Sequence, residues 1–220
     1  MELSIIIPCE ENRLDYLRST LDKYITTGLE PQYEILIVSQ TIKSFTHRNL
    51  RIRVIHYTLE DSFFNMSVPL NLGLRASKFN NIIVTSPEVI PITSVFKQLY
   101  KLERGNYICQ VLDQKENKDI VRSLIHTGYR ADNPGYCFFA SYKKEDLMAI
   151  GGWDESFRNC QGYEDRDFGE RLIKSGAEYK VLNDVILLHR WHERIENKEA
   201  RERGRKVYEE HKEARDCPKN

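Results

Sequence analysis

Apolar residues in this chain fall into short unbroken runs separated by stretches with helical spacing. Leu3-Ser4-Ile5-Ile6-Ile7, Glu34-Ile35-Leu36-Ile37-Val38 and Asn81-Ile82-Ile83-Val84-Thr85 are apolar and β-branched at nearly every position. That pattern predicts strands covered on both faces of a parallel sheet. Arg51-Ile52-Arg53-Val54 alternates and predicts a more exposed strand. Between Arg13 and Ile25, the residues Leu14, Leu17, Leu21, Tyr24 and Ile25 recur at helical spacing, with Gly28 as a stop signal. Met66 to Ser77 suits a second helix. This order of strands and helices predicts an α/β fold: an open, doubly wound, Rossmann-like sheet, mostly parallel and flanked by helices. Ligands of such a fold gather beyond the carboxyl ends of the strands.

Further along, the pattern predicts a helix over Thr93 to Arg104, a strand over Asn106 to Leu112, a polar loop over Asp113 to Asp119 and an aromatic strand over Tyr136 to Tyr142. A short helix over Lys143 to Ile150 closes at Gly151, and Val185-Ile186-Leu187-Leu188 predicts a late strand. Beyond His192 the chain is densely charged, and the pairs Glu199 with Arg203 and Glu202 with Lys206 have the i,i+4 spacing of a solvated helix with a frayed end. The expected organisation is one domain over residues 1–192 and a charged helical tail over 193–220.

Composition narrows the partners. A chain of 220 residues is long enough for one substantial core, and 33 basic against 33 acidic side chains cancel. No global field draws it to nucleic acid or to an anionic membrane. Five widely spaced cysteines with no Cys-x-x-Cys pair argue for reduced thiols in a cytoplasmic compartment and against a structural zinc site. No apolar run reaches the length of a transmembrane segment, which leaves peripheral association with a membrane face open.

Four segments carry candidate chemistry, each with a plainer explanation beside it. Pro8-Cys9-Glu10-Glu11-Asn12-Arg13 follows the first strand and offers hydrogen-bonding groups to a nucleotide, although any strand-to-helix turn has this composition. Ser86-Pro87-Glu88 follows the third buried strand, where a carboxylate either holds Mg²⁺ or Mn²⁺ against a diphosphate or is an exposed turn acid. Glu164-Asp165-Arg166-Asp167 opens a helix after Gly162; the acids either complement the helix dipole or supply a general base at Asp165. His189 and His192 end an apolar strand and are either metal ligands or satisfied structural residues.

Taken together, Gly151-Gly152-Trp153-Asp154-Glu155-Ser156-Phe157 and Gly162-Tyr163-Glu164-Asp165-Arg166-Asp167-Phe168 resemble the acceptor-side motif of the inverting GT-A glycosyltransferases of family 2. The carboxyl-terminal half is also similar to the galactosyltransferase type. Asn71-Leu72-Gly73-Leu74-Arg75-Ala76 resembles a pattern that precedes the metal strand in that family. The resemblance spans roughly Leu3 to His192. It implies Asp165 as catalytic base, with Glu164 and Trp153 on the acceptor side. Pro8, Cys9, Glu10, Arg13, Asn71, Arg75 and Ser86 would contact the nucleotide sugar. Glu88 and His189 would hold Mn²⁺ or Mg²⁺, with His192 as a substitute.

Two positions depart from the family pattern: Ser86 replaces the first acid of Asp-x-Asp, and Ser39-Gln40-Thr41 stands where acids usually read the base. The implied activity is metal-dependent transfer of a sugar, with inversion, from a nucleotide-diphosphate sugar to a hydroxyl of a glycan or other acceptor. Two rivals are a nucleotidyltransferase, disfavoured because Pro8 to Arg13 lacks glycine and lysine, and a catalytically degenerate module that binds a sugar or a partner chain.

Overall fold

The computed structural model describes residues 2–30, 32–60, 64–123, 138–193 and 195–216. In chain order its elements are β1 (Leu3–Pro8), α1 (Leu14–Thr26), β2 (Tyr33–Ser39), β3 (Ile52–His56), α2 (Ser67–Ala76), β4 (Asn81–Thr85), β5 (Val89–Pro91), α3 (Val95–Leu99), β6 (Asn106–Gln114), β7 (Ile120–Ser123), β8 (Phe139–Lys143), α4 (Lys144–Ala149), α5 (Glu164–Lys174), β9 (Tyr179–His189) and α6 (Lys198–Asp216). The strands form one sheet in the order β3-β2-β1-β4-β8-β6-β9-β5, with β7 beside β6.

The sheet has two characters. Its first half, β3-β2-β1-β4, is parallel throughout. Strand β8 then runs antiparallel to both β4 and β6, β6 and β9 run parallel, and β5 lies antiparallel to β9. Alternate residues of the early strands serve opposite faces. Ile5, Ile7, Ile35, Ile37 and Ile83 pack with Leu17, Leu21 and Tyr24 of α1 and Phe96 of α3. Ile6, Leu36, Ile82 and Val84 pack with Leu70 and Leu74 of α2 and Phe168 and Leu172 of α5. A strand that is wedged between two helical layers has no solvent face, which is why these runs are apolar at consecutive positions.

The expected aromatic strand is β8; Tyr136 and Cys137 at its predicted start, like Cys217, lie outside the described residues. The helix expected over Thr93 to Arg104 is only α3; beyond it, the Arg104 side chain donates to the Asn80 carbonyl (3.2 Å) and pairs with Glu145. The loop expected over Asp113 to Asp119 is shorter, 115–119, because Asp113 and Gln114 extend β6, whose Leu112 and Asp113 pair with Ser123 and Arg122 of β7. Strand β9 is far longer than its apolar end suggested, since Tyr179 to Leu182 pair with Asn106 to Cys109 before a register shift.

The carboxyl-terminal helix forms as expected but is docked. Ala200 and Tyr208 of α6 are buried, the Gln161 amide donates to the Ala200 carbonyl (3.0 Å), and Arg215 pairs with the fully buried Asp167 of α5. A Cβ added at Gly204 would lie 2.7 Å from the Gly162 carbonyl oxygen, in the turn that launches α5. An exposed helical glycine normally gains about 0.5–1 kcal/mol when replaced by alanine. Here the sign is expected to reverse: Gly204→Ala should lose roughly 1–3 kcal/mol in urea denaturation, because backbone cannot yield as a flexible side chain can.

Candidate active site

A cavity of about 680 Å³ opens beyond the carboxyl ends of β1 and β4, bounded by the first turn of α5 and the segment after β9. Pro8, Cys9, Glu10 and Arg13 line it from the loop after β1, and Ser86 and Glu88 from the turn after β4. Trp153, Asp165, His189 and His192 complete the lining. Residues more than a hundred positions apart in sequence therefore share one enclosure.

Sheet pairing explains the convergence. His189, the last residue of β9, stands opposite Val89 of β5 on one side and Asp113 of β6 on the other. Glu88 immediately precedes Val89, and its carbonyl accepts from the Arg190 amide at 3.1 Å. One potential ligand atom from each of Glu88, His189 and His192 lies within 4.8 Å of the others. Nδ1 of His192 is 2.9 Å from the Glu193 carbonyl. A carbonyl only accepts, so that nitrogen carries the hydrogen and Nε2 keeps the lone pair. Burial pushes the His192 imidazole below its ordinary pKa of 6.5, with the Glu88 charge opposing, which favours the neutral form that binds metals.

Two arginines organise the turn that carries Glu88. Arg13 Nε is 3.3 Å from Glu88 Oε1. The Arg190 guanidinium donates to the Pro87 carbonyl (3.0 Å), the Tyr16 carbonyl (2.8 Å) and Thr20 Oγ1 (2.8 Å), strapping the end of β9 and the Ser86-Pro87-Glu88 turn to α1. The donor set of one carboxylate and two imidazoles suits a divalent transition metal. Beside it, the buried Ser86 Oγ has no hydrogen-bond partner. A polar atom shut from solvent without a partner is costly, and its place at the lip of the cavity fits a ligand oxygen as the missing partner.

No known family's sequence model matches this chain. A chondroitin synthase from Escherichia coli is 21% identical over 257 residues, covering 93% of this chain and 37% of its own length. The mannosyltransferase PcManGT from Pyrobaculum calidifontis, solved with GDP-Man and Mn²⁺, superposes with a TM-score of 0.63 at 16% identity over all of this chain and 66% of that one. TarS (residues 1–349) from S. aureus superposes with a TM-score of 0.66 at 14% identity, over 86% of this chain and 60% of that one. The chain has the GT-A glycosyltransferase fold.

Within that GT-A frame, several residues expected at the site serve other ends. Asn71 lies in α2 and does not line the cavity. Its side chain accepts from the Trp153 amide (2.9 Å) and donates to the Trp153 carbonyl (2.6 Å) and to Glu155 (2.9 Å), so it shapes the Gly152-Trp153 turn. Arg75, one turn later, is exposed and pairs with the same Glu155 at 3.4 Å. Trp153 does border the cavity, but it is buried and stacks on Phe168 with centroids 4.4 Å apart, which makes it a wall. Cys9 is likewise a wall: burial, reinforced by Glu88 and Glu10, pushes its thiol up to about 12, leaving it protonated and inert.

Glu10 lines the cavity as expected, whereas Glu164 does not. The Glu10 carboxylate borders the cavity but is taken up by the turn after β2, accepting from the Gln40 amide (3.0 Å), the Thr41 amide (3.1 Å) and the Thr41 hydroxyl (2.7 Å). It stitches together the loops after β1 and β2. Glu164, next to Asp165, does not line the cavity; its Oε2 is shut from solvent without a partner. Asp113 and Arg190 were missed by the sequence reading: Asp113 fell in an expected loop, and Arg190 was an unremarked member of the run around His189.

Burial raises the Glu164 carboxyl above its ordinary 4.5. A carboxyl raised by folding contributes most below its unfolded pKa, and that contribution is lost as pH climbs through the folded value. Glu164→Gln is therefore expected to match or exceed the wild-type unfolding midpoint at neutral pH and to flatten this part of the profile. Thermal unfolding followed from about pH 4 to about pH 8 checks it, and a lower midpoint at neutral pH would contradict the reading.

Proposed function

We propose that this protein transfers a sugar from a nucleoside-diphosphate sugar to a hydroxyl of a glycan or other acceptor, with inversion at the anomeric carbon. The observation that carries this reading is the meeting of Glu88, His189 and His192 with Asp165 around one cavity of a GT-A fold. PcManGT was solved with GDP-Man and Mn²⁺, and TarS with UDP-GlcNAc. Those structures support a nucleotide sugar as donor, and their two different bases leave the choice of base open.

Glu88, His189 and His192 would hold a divalent ion, Mn²⁺ in preference to Mg²⁺ because two of the three donors are imidazoles. When bound, such an ion supplies positive charge against the departing diphosphate. The chain's own residues carry the remaining roles. Pro8 and the Ser86 hydroxyl border the nucleotide side. Arg13 holds Glu88 in place and adds a cation beside the phosphates. Asp165 accepts the acceptor hydroxyl proton as that oxygen bonds to the anomeric carbon and the bond to the diphosphate oxygen breaks. A positioned base contributes on the order of 10²- to 10⁴-fold.

The catalytic unit is proposed to be residues 1–192, with the following segment docked against it. The described cysteines, Cys9, Cys109 and Cys160, are buried free thiols, which suits a reducing, cytoplasm-like compartment. No helix among the described residues is long and apolar enough to cross a membrane.

Asp165→Asn is expected to lower transfer by roughly 10²- to 10⁴-fold while nucleoside diphosphate affinity, measured by calorimetry, stays near wild type. Near wild-type turnover would remove Asp165 as the base. Glu88→Ala and His189→Ala should each weaken nucleoside diphosphate binding in the presence of Mn²⁺ and leave metal-free binding nearly unchanged. Equal affinities in all conditions would remove both from the ligand set. The Glu88–Arg13 ion pair and Ser86 in place of an acid favour a second reading, a binding module without transfer. A panel of nucleotide sugars incubated with Mn²⁺ decides: no hydrolysis and no transfer from any of them selects the module.

A further inference from the structure

Asp113 lies at the end of β6, directly opposite His189 in the parallel β6–β9 pairing. Its Oδ1 is 2.9 Å from His189 Nδ1, and both residues are buried, at 4% and 3% exposure. The His189 ring is further fixed by Phe138, with centroids 4.6 Å apart, and meets the His192 ring edge-on at 5.3 Å. Packing alone sets the plane of an imidazole but leaves open which nitrogen is protonated. A carboxylate decides that. A carboxylate oxygen at 2.9 Å accepts, which would put the hydrogen on Nδ1 and leave Nε2 with the lone pair.

We propose that Asp113 is a positioning residue that locks His189 in its Nδ1–H tautomer, so that Nε2 serves as the ligating atom of the Glu88–His189–His192 site. This rests on the metal-binding reading given above. A carboxylate behind a ligating imidazole fixes the ring's tautomer and orientation and raises its basicity as a donor. His192 reaches the same tautomer through the Glu193 carbonyl at 2.9 Å. The site thus pairs one imidazole backed by a charge with one backed by a neutral acceptor, and His189 is the stronger donor of the two.

Long-range proton–nitrogen NMR of ¹⁵N-histidine-labelled wild-type protein without metal reads the tautomer directly. The His189 signals are assigned by their absence from His189→Gln. A hydrogen on Nδ1 is expected; a hydrogen on Nε2 overturns the proposal. Calorimetric titration with Mn²⁺ should show roughly 10- to 100-fold weaker binding for Asp113→Ala. Asp113→Asn keeps an oxygen acceptor of the same shape without the charge and should fall between that variant and wild type. Unchanged Mn²⁺ affinity in either variant overturns the proposal. If Asp113→Ala does not fold, the wild-type spectrum and Asp113→Asn still decide. Sugar transfer is not among these readouts, so a protein that shows the expected tautomer and Mn²⁺ affinities yet transfers nothing refutes the proposed function alone.

Discussion

The candidate site depends on where one strand is placed. Strand β9 lies between β5 and β6, and its last residue is therefore hydrogen-bonded into the sheet next to both. Glu88 sits one residue before β5, Asp113 is one residue from the end of β6, and His189 ends β9. The register of two ladders brings a carboxylate, an imidazole and a second carboxylate to one spot, and no flexible loop has to find its way there. A slip of one residue in either ladder would turn the wrong side chain inward, since neighbours on a strand face opposite sides.

The electrostatics around that spot are local compensations. Buried charge is tolerated only with partners, and Glu88, Asp113 and Asp167 each have one. Glu88 has the Arg13 guanidinium, and Asp113 has a hydrogen-bond partner in His189. Asp167, on α5, has Arg171 at 2.7 Å and Arg215. The zero net charge of the chain gives no hint of this concentration. Arg190 works differently, with a guanidinium spread over neutral acceptors of α1 and the Pro87 turn, so that its contribution is to geometry.

Much of the fold was legible because its first half obeys simple rules. β1, β2 and β4 are covered on both faces, and α1 and α2 carry clear helical spacing. The second half hides its strands. The amino-terminal part of β9 is half exposed and mixed in polarity, and β5 has only three residues. Glu88 and His189 were readable because each follows a recognisable apolar strand. Asp113 was not, because its neighbours Gln114, Lys115 and Glu116 look like a loop. Glu164 and Asp165 were assigned as a pair, but adjacent helical residues point about 100° apart, so one reaches the cavity and the other is buried. Asn71 was misplaced for a related reason: a motif states which residues are present, and hydrogen bonds made eighty positions away determine what they do.

Helix α6 carries a last implication. Its final turn supplies Arg215 to Asp167, a carboxylate on the helix whose first turn presents Asp165. Losing that turn would leave a core acid without one of its two guanidinium partners, on the helix that carries Asp165. Helix α6 is thus tied by a guanidinium to the helix that carries Asp165, and a chimera exchanging this segment must bring a guanidinium to the same place.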